Sequence, residues 1–551
     1  MRFYKISRVF LFLSVFSSSL FAQEALKSTE EEYYDFLSLT GQAERPTLSY
    51  RTLSDSEWQV TDENHLWKDN NLGTKRTLYE SDSTATNWFT AGIDRSVKLK
   101  LYGPEWFNSY NTKAPYGQND GALWQGKGYN TSLTAGARLE AYGLEATFKP
   151  QVSWSQNREF ELVDNSAYYT NKYAYIWGYG NNIGADAPQR FGNSSFFTFD
   201  WGDTEIRWSW HTFTVGFGAQ AIWLGPAHLN PLLHSNNAAT YPKFDIGLRK
   251  TELHLPHIGW NIGHIEGRIW TGYLTESDYF DNDESNNHNM LHGLTCSYSP
   301  SFIPGLTLGL NRTCLVKASR ENLKYVIPAI KNTHVGEQGA GEDQKMSMTI
   351  DWLFPKVGFE VYGEVGLDDG TPFSNYLRSA THMVGLKKTL AFSKKHNIFG
   401  EIFFEWSNTE MTQDFQFQWP YSFGFHYQIT QGYTNKGQWL GSGMGYGGES
   451  RLIGFKLYHN FGYVYLFHEF ANIDSNYIYS KAINSVPSDN VLKGEWPIRY
   501  YKILGLENLN FITENFILSE AVYYNDIRHY LYRNHTSLDN FTFCLKLKYS
   551  F

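Results

Sequence analysis

Cysteine is scarce in this chain: Cys296, Cys314 and Cys544 are the only three among 551 residues. An odd, sparse set builds neither a disulfide framework nor a four-ligand zinc site, so stability has to come from packing and backbone pairing. Long apolar runs are also missing. Beyond the N-terminal segment no stretch approaches the roughly 18 uninterrupted apolar residues that a spanning helix needs, which excludes a helical membrane protein. Charge of one sign is wanting as well, because 47 basic residues face 56 acidic ones for a net charge of -9. That balance offers no footprint for nucleic acid. Charged residues make up 19%, hydrophobic residues 42% and aromatic residues 17%. So high an aromatic share excludes a disordered chain.

The first 22 residues read as an export signal. Arg2, Lys5 and Arg8 give a basic start, Val9 to Phe16 an apolar core, and Ser17 to Ala22 mostly small residues before Gln23. Cleavage is expected after Ala22, although Leu20, at the third position before the cut, is not small. With no cysteine near that point, membrane attachment has to come from the fold and not from a lipid. Residues 23–87 are expected to form an N-terminal periplasmic helical region or plug, and residues 88–551 an outer-membrane barrel.

Ser28 with Glu31 resembles a capping box, and Tyr33, Phe36, Leu37 and Thr40 fall at helical spacing before Gly41. A short helix is expected there. From about Trp88 the period becomes two. Leu133, Ala135, Ala137, Leu139 and Ala141 alternate with Ser132, Thr134, Gly136, Arg138 and Glu140. Past Gly143, Leu144, Ala146, Phe148, Pro150, Val152 and Trp154 alternate with polar residues, so the two runs predict a long hairpin. The chain closes on Phe541, Phe543, Leu545, Leu547, Tyr549 and Phe551 against Thr542, Cys544, Lys546, Lys548 and Ser550.

Strands of about ten residues, apolar on one face and polar on the other, suit a barrel whose outside meets lipid and whose lumen is wet. Connection lengths give an independent sign, since such barrels alternate short turns with long loops. Short turns are expected near Tyr142–Gly143, Gly202–Thr204, Pro256–Gly259, Pro304–Gly305, Val357–Gly358, Lys394–Asn397, Asn460–Gly462 and Thr513–Asn515. Long polar stretches lie between them, among them 156–194, 275–289, 316–342, 366–378 and 407–450. With both barrel ends on the turn side, roughly eight turns imply an all-β, antiparallel transmembrane barrel of about 18 strands. A soluble exported β-sandwich is the competing reading.

Residues 219–244 read AQAIWLGPAHLNPLLHSNNAATYPKF. Trp223, Gly225, Pro226, Leu232, Leu233, Ser235, Asn236, Asn237, Ala238 and Pro242 resemble the signature of the Wzi family of outer-membrane capsule assembly proteins. GFEVYGEVG at 358–366, HYQITQGYTNKGQWLG at 426–441, FHEFANID at 467–474 and the terminal YSF agree with it. The resemblance spans most of the chain from Trp88. Leu224 stands where family members often carry a second aromatic, which removes a stacking role at that position.

The resemblance implies a closed barrel occluded by inward-folded segments, with a non-enzymatic role: binding exported capsular or surface polysaccharide and attaching it to the cell surface. The residues are compatible, because aromatic rings offer flat apolar faces to sugar C–H groups while amides and carboxylates bond hydroxyls. Trp106, Tyr110, Trp124 and Tyr129 near Asn119, Asp120 and Gln125 make one aromatic-polar group, and Trp419, Tyr421, Tyr433 and Trp439 another. Polysaccharide-binding or plug candidates are Trp106, Trp124, Trp223, His228, Asn230, Ser235, Asn236, Asn237, Trp419, Tyr433 and Trp439. Single rings have a plainer reading in the interfacial girdle or the plug. Expected partners are the polysaccharide, outer-membrane lipid and the barrel-assembly machinery, reached through the strand ending in Phe551.

Enzyme motifs fail on inspection. His468 and Glu469 begin a zincin-like pattern, but Asn472 replaces the second histidine. Gly443, Gly445 and Gly448 have dinucleotide-loop spacing with no βαβ unit around them. Asp281, Asp283 and Glu284 could attract calcium, yet Asn286 and His292 stand where an EF-hand loop needs glycine and glutamate. Cys296 and Cys314 flank Pro304-Gly305 and fall on opposite faces of a tight hairpin. No catalytic residue, metal or cofactor is expected. A porin or sugar-specific channel, and an outer-membrane hydrolase with a Ser-His pair, remain as alternatives.

Overall fold

The computed structural model describes residues 28–49, 51, 59–62, 64–70, 79–81, 93, 96–164, 171–174, 178–179, 182–183, 185–281, 283–284, 286–326, 341–368, 380–393, 396–410, 423–426, 428–473, 475 and 497–551. The expected signal segment, Trp419 and Tyr421 lie outside them.

The described strands close into an antiparallel barrel of 18 staves. In chain order they are β1 Val97–Asn111, β2 Gly128–Ala141, β3 in two runs (Leu144–Phe148, Gln151–Ser155), β4 in two runs (Phe196–Asp200, Glu205–Trp210), β5 Phe213–Gly218 and β6 Lys243–His254. There follow β7 Asn261–Thr275, β8 His288–Pro300, β9 Leu306–Lys317, β10 Glu342–Phe354, β11 Phe359–Asp368 and β12 Thr381–Ser393. The last are β13 Ile398–Asn408, β14 Glu449–His459, β15 Gly462–Asn472, β16 Tyr500–Phe511, β17 Phe516–Arg528 and β18 Ser537–Tyr549. Closure comes from β18 against β1, with Thr542 opposite Asn111 and Lys548 opposite Glu105. The register of β1 shifts between Tyr102 and Glu105. At that shift a Cβ on Gly103 would fall 1.4 Å from the Tyr549 carbonyl oxygen, so only glycine lets the two backbones meet.

The polarity of the wall is inverted relative to a soluble sheet. On β18 Phe541, Phe543 and Leu545 are exposed while Thr542 is buried, and on β2 Leu139 is exposed while Asn130, Ser132, Thr134 and Arg138 are buried. The buried face is polar and the exposed face greasy, as in a barrel whose outside meets lipid. Several charges turned inward are paired: Lys345 is held by Asp343 at 2.6 Å and Asp368 at 2.9 Å. Arg207 likewise joins Glu205 at 2.8 Å and Asp245 at 2.6 Å.

Seven of the expected turns join consecutive staves where the sequence placed them. Gly202–Thr204 does not. It lies in the break between the two runs of β4, and the hairpin into β5 is at His211–Thr212, where His211 adopts φ +52°. No glycine or proline marks that turn. Register settles two further points. Cys296 pairs with Leu310 and Cys314 with His292, so Cys296 faces out, Cys314 is buried and the two form no disulfide. His468 is exposed and Glu469 buried on the single strand β15, which is no zincin helix.

Helix α1, Thr29–Leu39, sits at the turn end of the lumen. Its capping box is complete, with Glu31 N–H donating to Ser28 Oγ at 3.1 Å and Ser28 N–H to Glu31 Oε2 at 2.9 Å. Gly41, at φ +76°, follows the C-cap. Tyr33 stacks on Trp67 and Phe36 on Tyr458, each with ring centroids 4.1 Å apart. Ion pairs fasten the polar side to the wall: Glu32 to Lys456 at 2.9 Å, Asp35 to Lys387 at 2.6 Å, and Arg45, just past the helix, to Glu360 at 2.6 Å.

Candidate functional site

The chain leaves the wall at the end of β5, crosses the lumen over residues 219–242 and returns as β6. Nearly all of this segment is buried. Its Gly-Pro step is a sharp turn. Gly225 has φ +85°, and a Cβ there would stand 3.3 Å from Thr349 and 3.4 Å from Glu364 on the wall. Carboxylates on the strands then take up backbone N–H groups that a non-regular segment leaves free. Glu405 on β13 accepts from His228 at 2.5 Å, Leu229 at 3.1 Å and Asn230 at 2.8 Å, and Glu364 on β11 accepts from Leu232 at 3.0 Å.

The candidates in this segment have clear places. Trp223 is buried and its Nε1 donates to the Ala227 carbonyl at 3.2 Å. The His228 ring packs on Phe403, with centroids 4.4 Å apart. Asn230 Nδ2 donates to Ser450 Oγ at 3.3 Å and its Oδ1 accepts from Ser442 at 2.8 Å. Ser235 Oγ donates to the Gly441 carbonyl, and Ser235 N–H to the Leu440 carbonyl at 2.7 Å. Asn236 and Asn237 each bond Asn119, on the β1–β2 loop. His234 is enclosed, its Nε2 2.7 Å from Tyr241 Oη, and burial pushes its imidazole down to about 4.

A second inserted stretch, 428–448 between β13 and β14, packs against the first. Tyr433 is fully buried and donates to Thr313 Oγ1 at 3.0 Å. Trp439 meets Phe425 and Tyr446 edge-on at 5.2 and 5.3 Å. Leu224, Leu232, Leu233, Tyr433, Leu440 and Tyr446 belong to one apolar cluster, which fills the lumen between the two stretches. Asp186, on the β3–β4 loop, clasps two other segments. It accepts from Ser277 N–H at 2.7 Å, from Ser277 Oγ at 2.5 Å and from Gly437 N–H at 3.1 Å, while burial pushes its carboxyl up to about 6.

At the loop end a cavity of about 270 Å³ lies over this plug. Trp124, Asn237 and Trp439, three of the candidates, line it together. The sequence reading did not foresee that Phe160, Gln189, Tyr501 and Tyr530 share the wall. No local motif marks them, since they come from two separate connections, β3–β4 and β17–β18, and from the start of β16. Trp124 packs against Phe191 with centroids 4.9 Å apart. Trp124 Nε1 and Gln125 Oε1 are buried with no hydrogen-bond partner in the protein, a donor and an acceptor on neighbouring residues beside the cavity. Asp120 accepts from the Gln125 side chain, and burial pushes its carboxyl up to about 7.

Trp106 stands apart from this group. It is exposed on the outer face of β1, its Nε1 donating to Thr131 Oγ1 at 2.9 Å, and Tyr110 is exposed on the same strand. The expected grouping of Trp106 and Tyr110 with Trp124 therefore divides between the outer wall and the loop-end cavity, because their strand positions alternate away from the lumen. A further cavity of about 170 Å³ lies at the turn end, between the Gly225-Pro226 turn, Arg45 and Arg51. Among the described residues no group of three or more His, Cys, Asp or Glu side chains could hold a metal ion.

The family model of capsule assembly protein Wzi matches residues 108–482. Among solved structures, the chain is similar to Escherichia coli Wzi, an outer-membrane protein involved in group 1 capsule assembly and a carbohydrate-binding β-barrel. The identity is 13%, over 82% of this chain and 85% of that one, with a TM-score of 0.52. Acinetobacter baumannii OccAB4 aligns at 9% identity over 82% of this chain and 98% of that one, with a TM-score of 0.39. Pseudomonas putida OprB aligns at 10% over 82% and 94%, with a TM-score of 0.37. Sequence comparison with the curated proteins gives no match.

Proposed function

The chain belongs to the family of capsule assembly protein Wzi, and from that premise we propose that it binds capsular polysaccharide at the loop-end cavity and attaches or organises it at the cell surface without turning it over. The observation that carries this reading is a pair of unpartnered side-chain atoms, Trp124 Nε1 and Gln125 Oε1, on two residues that line a cavity also bordered by Trp439 and Tyr501. Sugar hydroxyls can accept from an indole N–H and donate to an amide oxygen, while a ring face covers the C–H groups. The apolar cluster across the lumen supports a holding role over a conducting one. The greasy outer wall supports residence in a Gram-negative outer membrane, with the loops outward and α1 on the periplasmic side.

Residues 1–22 are then the removed export signal, cut near Ala22, residues 23–87 the periplasmic region or plug, and residues 88–551 the barrel. The terminal strand ending in Phe551 is the segment offered to the barrel-assembly machinery. The test is binding of the detergent-solubilised protein to capsule purified from its own source strain, with an unrelated capsule as control and single-channel conductance on the same preparation. Selective binding that falls at least tenfold in Trp124→Ala and Trp439→Ala, with no steady conductance, is expected. A steady open conductance without binding would replace this reading with that of a channel.

A further inference from the structure

A second chamber lies against the loop-end cavity and shares Asp120 and Leu123 with it. Its volume is about 140 Å³. An engineered cavity of about 150 Å³ takes a single benzene ring, so this one has room for one six-membered ring.

Its polar wall is made of carboxyl, amide and hydroxyl groups, with one thiol and one ammonium. Gln151 and Asn236 are 3% and 1% exposed, and Gln151 Oε1 and Asn236 Oδ1 have no hydrogen-bond partner in the protein. The two oxygens converge, lying 3.7 and 3.6 Å from the point where a Cβ on Gly121 would stand. The Asn236 amide is oriented by its Nδ2, which donates to the Asn119 carbonyl at 3.3 Å. Glu105, Asp120 and Glu507 add carboxyl groups, Lys546 is the one cation in the lining, and the exposed Glu520 also borders the space. The high affinity of the Asp120 carboxyl for its proton has burial as its main cause, and no cation offsets it. Tyr463 and Tyr523 supply ring surface.

We propose that this chamber takes a primary ammonium group carried on one six-membered ring, the chemistry of a 2-amino sugar. An ammonium brings three donors and no acceptor, which matches the two converging amide oxygens and the carboxyl groups of the lining. A carboxylate-bearing sugar is repelled by the same wall. The inference rests on the polysaccharide-binding reading, because the shared Asp120 makes the chamber a continuation of the loop-end cavity.

The test is calorimetric titration of the full detergent-solubilised chain at neutral pH with D-glucosamine, N-acetyl-D-glucosamine, D-glucose and calcium chloride. Glucosamine is expected to bind at least tenfold more tightly than either neutral sugar. Gln151→Glu should strengthen that binding severalfold and Gln151→Leu should weaken it; if the leucine variant does not fold, the glutamate variant alone decides. Equal affinity for the three sugars, no binding of glucosamine, or binding of calcium without glucosamine each overturns the proposal. Gln151 is not in the lining of the loop-end cavity, so capsule binding on the same preparations fails or holds independently.

Discussion

Glu405, on strand β13, accepts the backbone N–H of Asn230 at 2.8 Å, and the same carboxylate accepts from His228 and Leu229. One wall side chain thus fixes three successive peptide groups in the middle of the lumen. Glu405→Ala leaves all of them without an acceptor, and a buried orphan donor costs about 1–3 kcal/mol. The variant should lose roughly 3 kcal/mol or more and acquire a conductance that the parent lacks. Glu405→Gln keeps one oxygen and should fall between the two. Thermal unfolding in detergent and planar-bilayer recording check this; a closed Glu405→Ala barrel of parental stability would contradict the anchoring role.

Asp186 joins the cavity to its supports. It receives Ser277 and Gly437, while its neighbours Ala187 and Gln189, like Gly437 itself, line the loop-end space. Asp186→Ala should therefore loosen the cavity without opening the barrel. Capsule affinity is expected to fall about tenfold, equivalent to about 1.4 kcal/mol, with Asp186→Asn less affected. Heat-modifiable migration on a gel shows whether the barrel stays folded, and polysaccharide binding reads the effect.

His234 gives a pH dependence with a definite sign. Burial lowers its imidazole from 6.5 to about 4 in the folded chain, so the unfolded chain takes up the proton first as pH falls. The stability this group contributes is whole above pH 6.5 and is lost progressively between about 6.5 and 4. A shift of that size corresponds to on the order of 3 kcal/mol. Asp120 and Asp186, whose carboxyls burial raises, act in the opposite sense, so the difference between the parent and His234→Asn isolates the histidine. The parent should lose stability relative to the variant between pH 7 and 5. Parallel melting curves across that range would refute the assignment.

The barrel was legible because period two, turns and long loops repeat along the chain, and inversion of the burial pattern needs only alternation to be foreseen. The Gly-Asp-Thr step at 202–204 misled because turn-forming residues also suit a break inside a stave, whereas the true hairpin at His211 carries no such mark. The Ser235-Asn236-Asn237 run was readable as a loop folded inward from its composition. The wall anchors of the same inserted segment, Glu405 and Glu364, were not, because they are single inward positions on distant strands and only closure of the barrel brings them to residues 228–232. The same holds for the cavity: Trp124 and Trp439 stood out as rings, but only the fold separates them from Trp106.

Arg45 carries the attachment of α1. It meets Asp35 at 2.9 Å, Asp351 at 2.8 Å and Glu360 at 2.6 Å, and Glu360 is 2% exposed. Removing one partner of a buried pair costs about 3–5 kcal/mol, because the remaining charge has lost its counterion. Lys387 still reaches Glu360 at 3.2 Å and Asp35 at 2.6 Å, and Arg45 is itself 22% exposed, which places Arg45→Ala toward the lower end, about 3 kcal/mol. That loss falls on the helix, since the staves keep their ladders. Tyr33 and Tyr34, now buried, should become sites of chymotrypsin cleavage in Arg45→Ala while the barrel stays protease-resistant. Arg45→Lys keeps a charge but not the fork that reaches three carboxylates, and should show intermediate cleavage. Unchanged protection of Tyr33 in Arg45→Ala would mean that the Trp67 and Tyr458 stacking alone holds the helix.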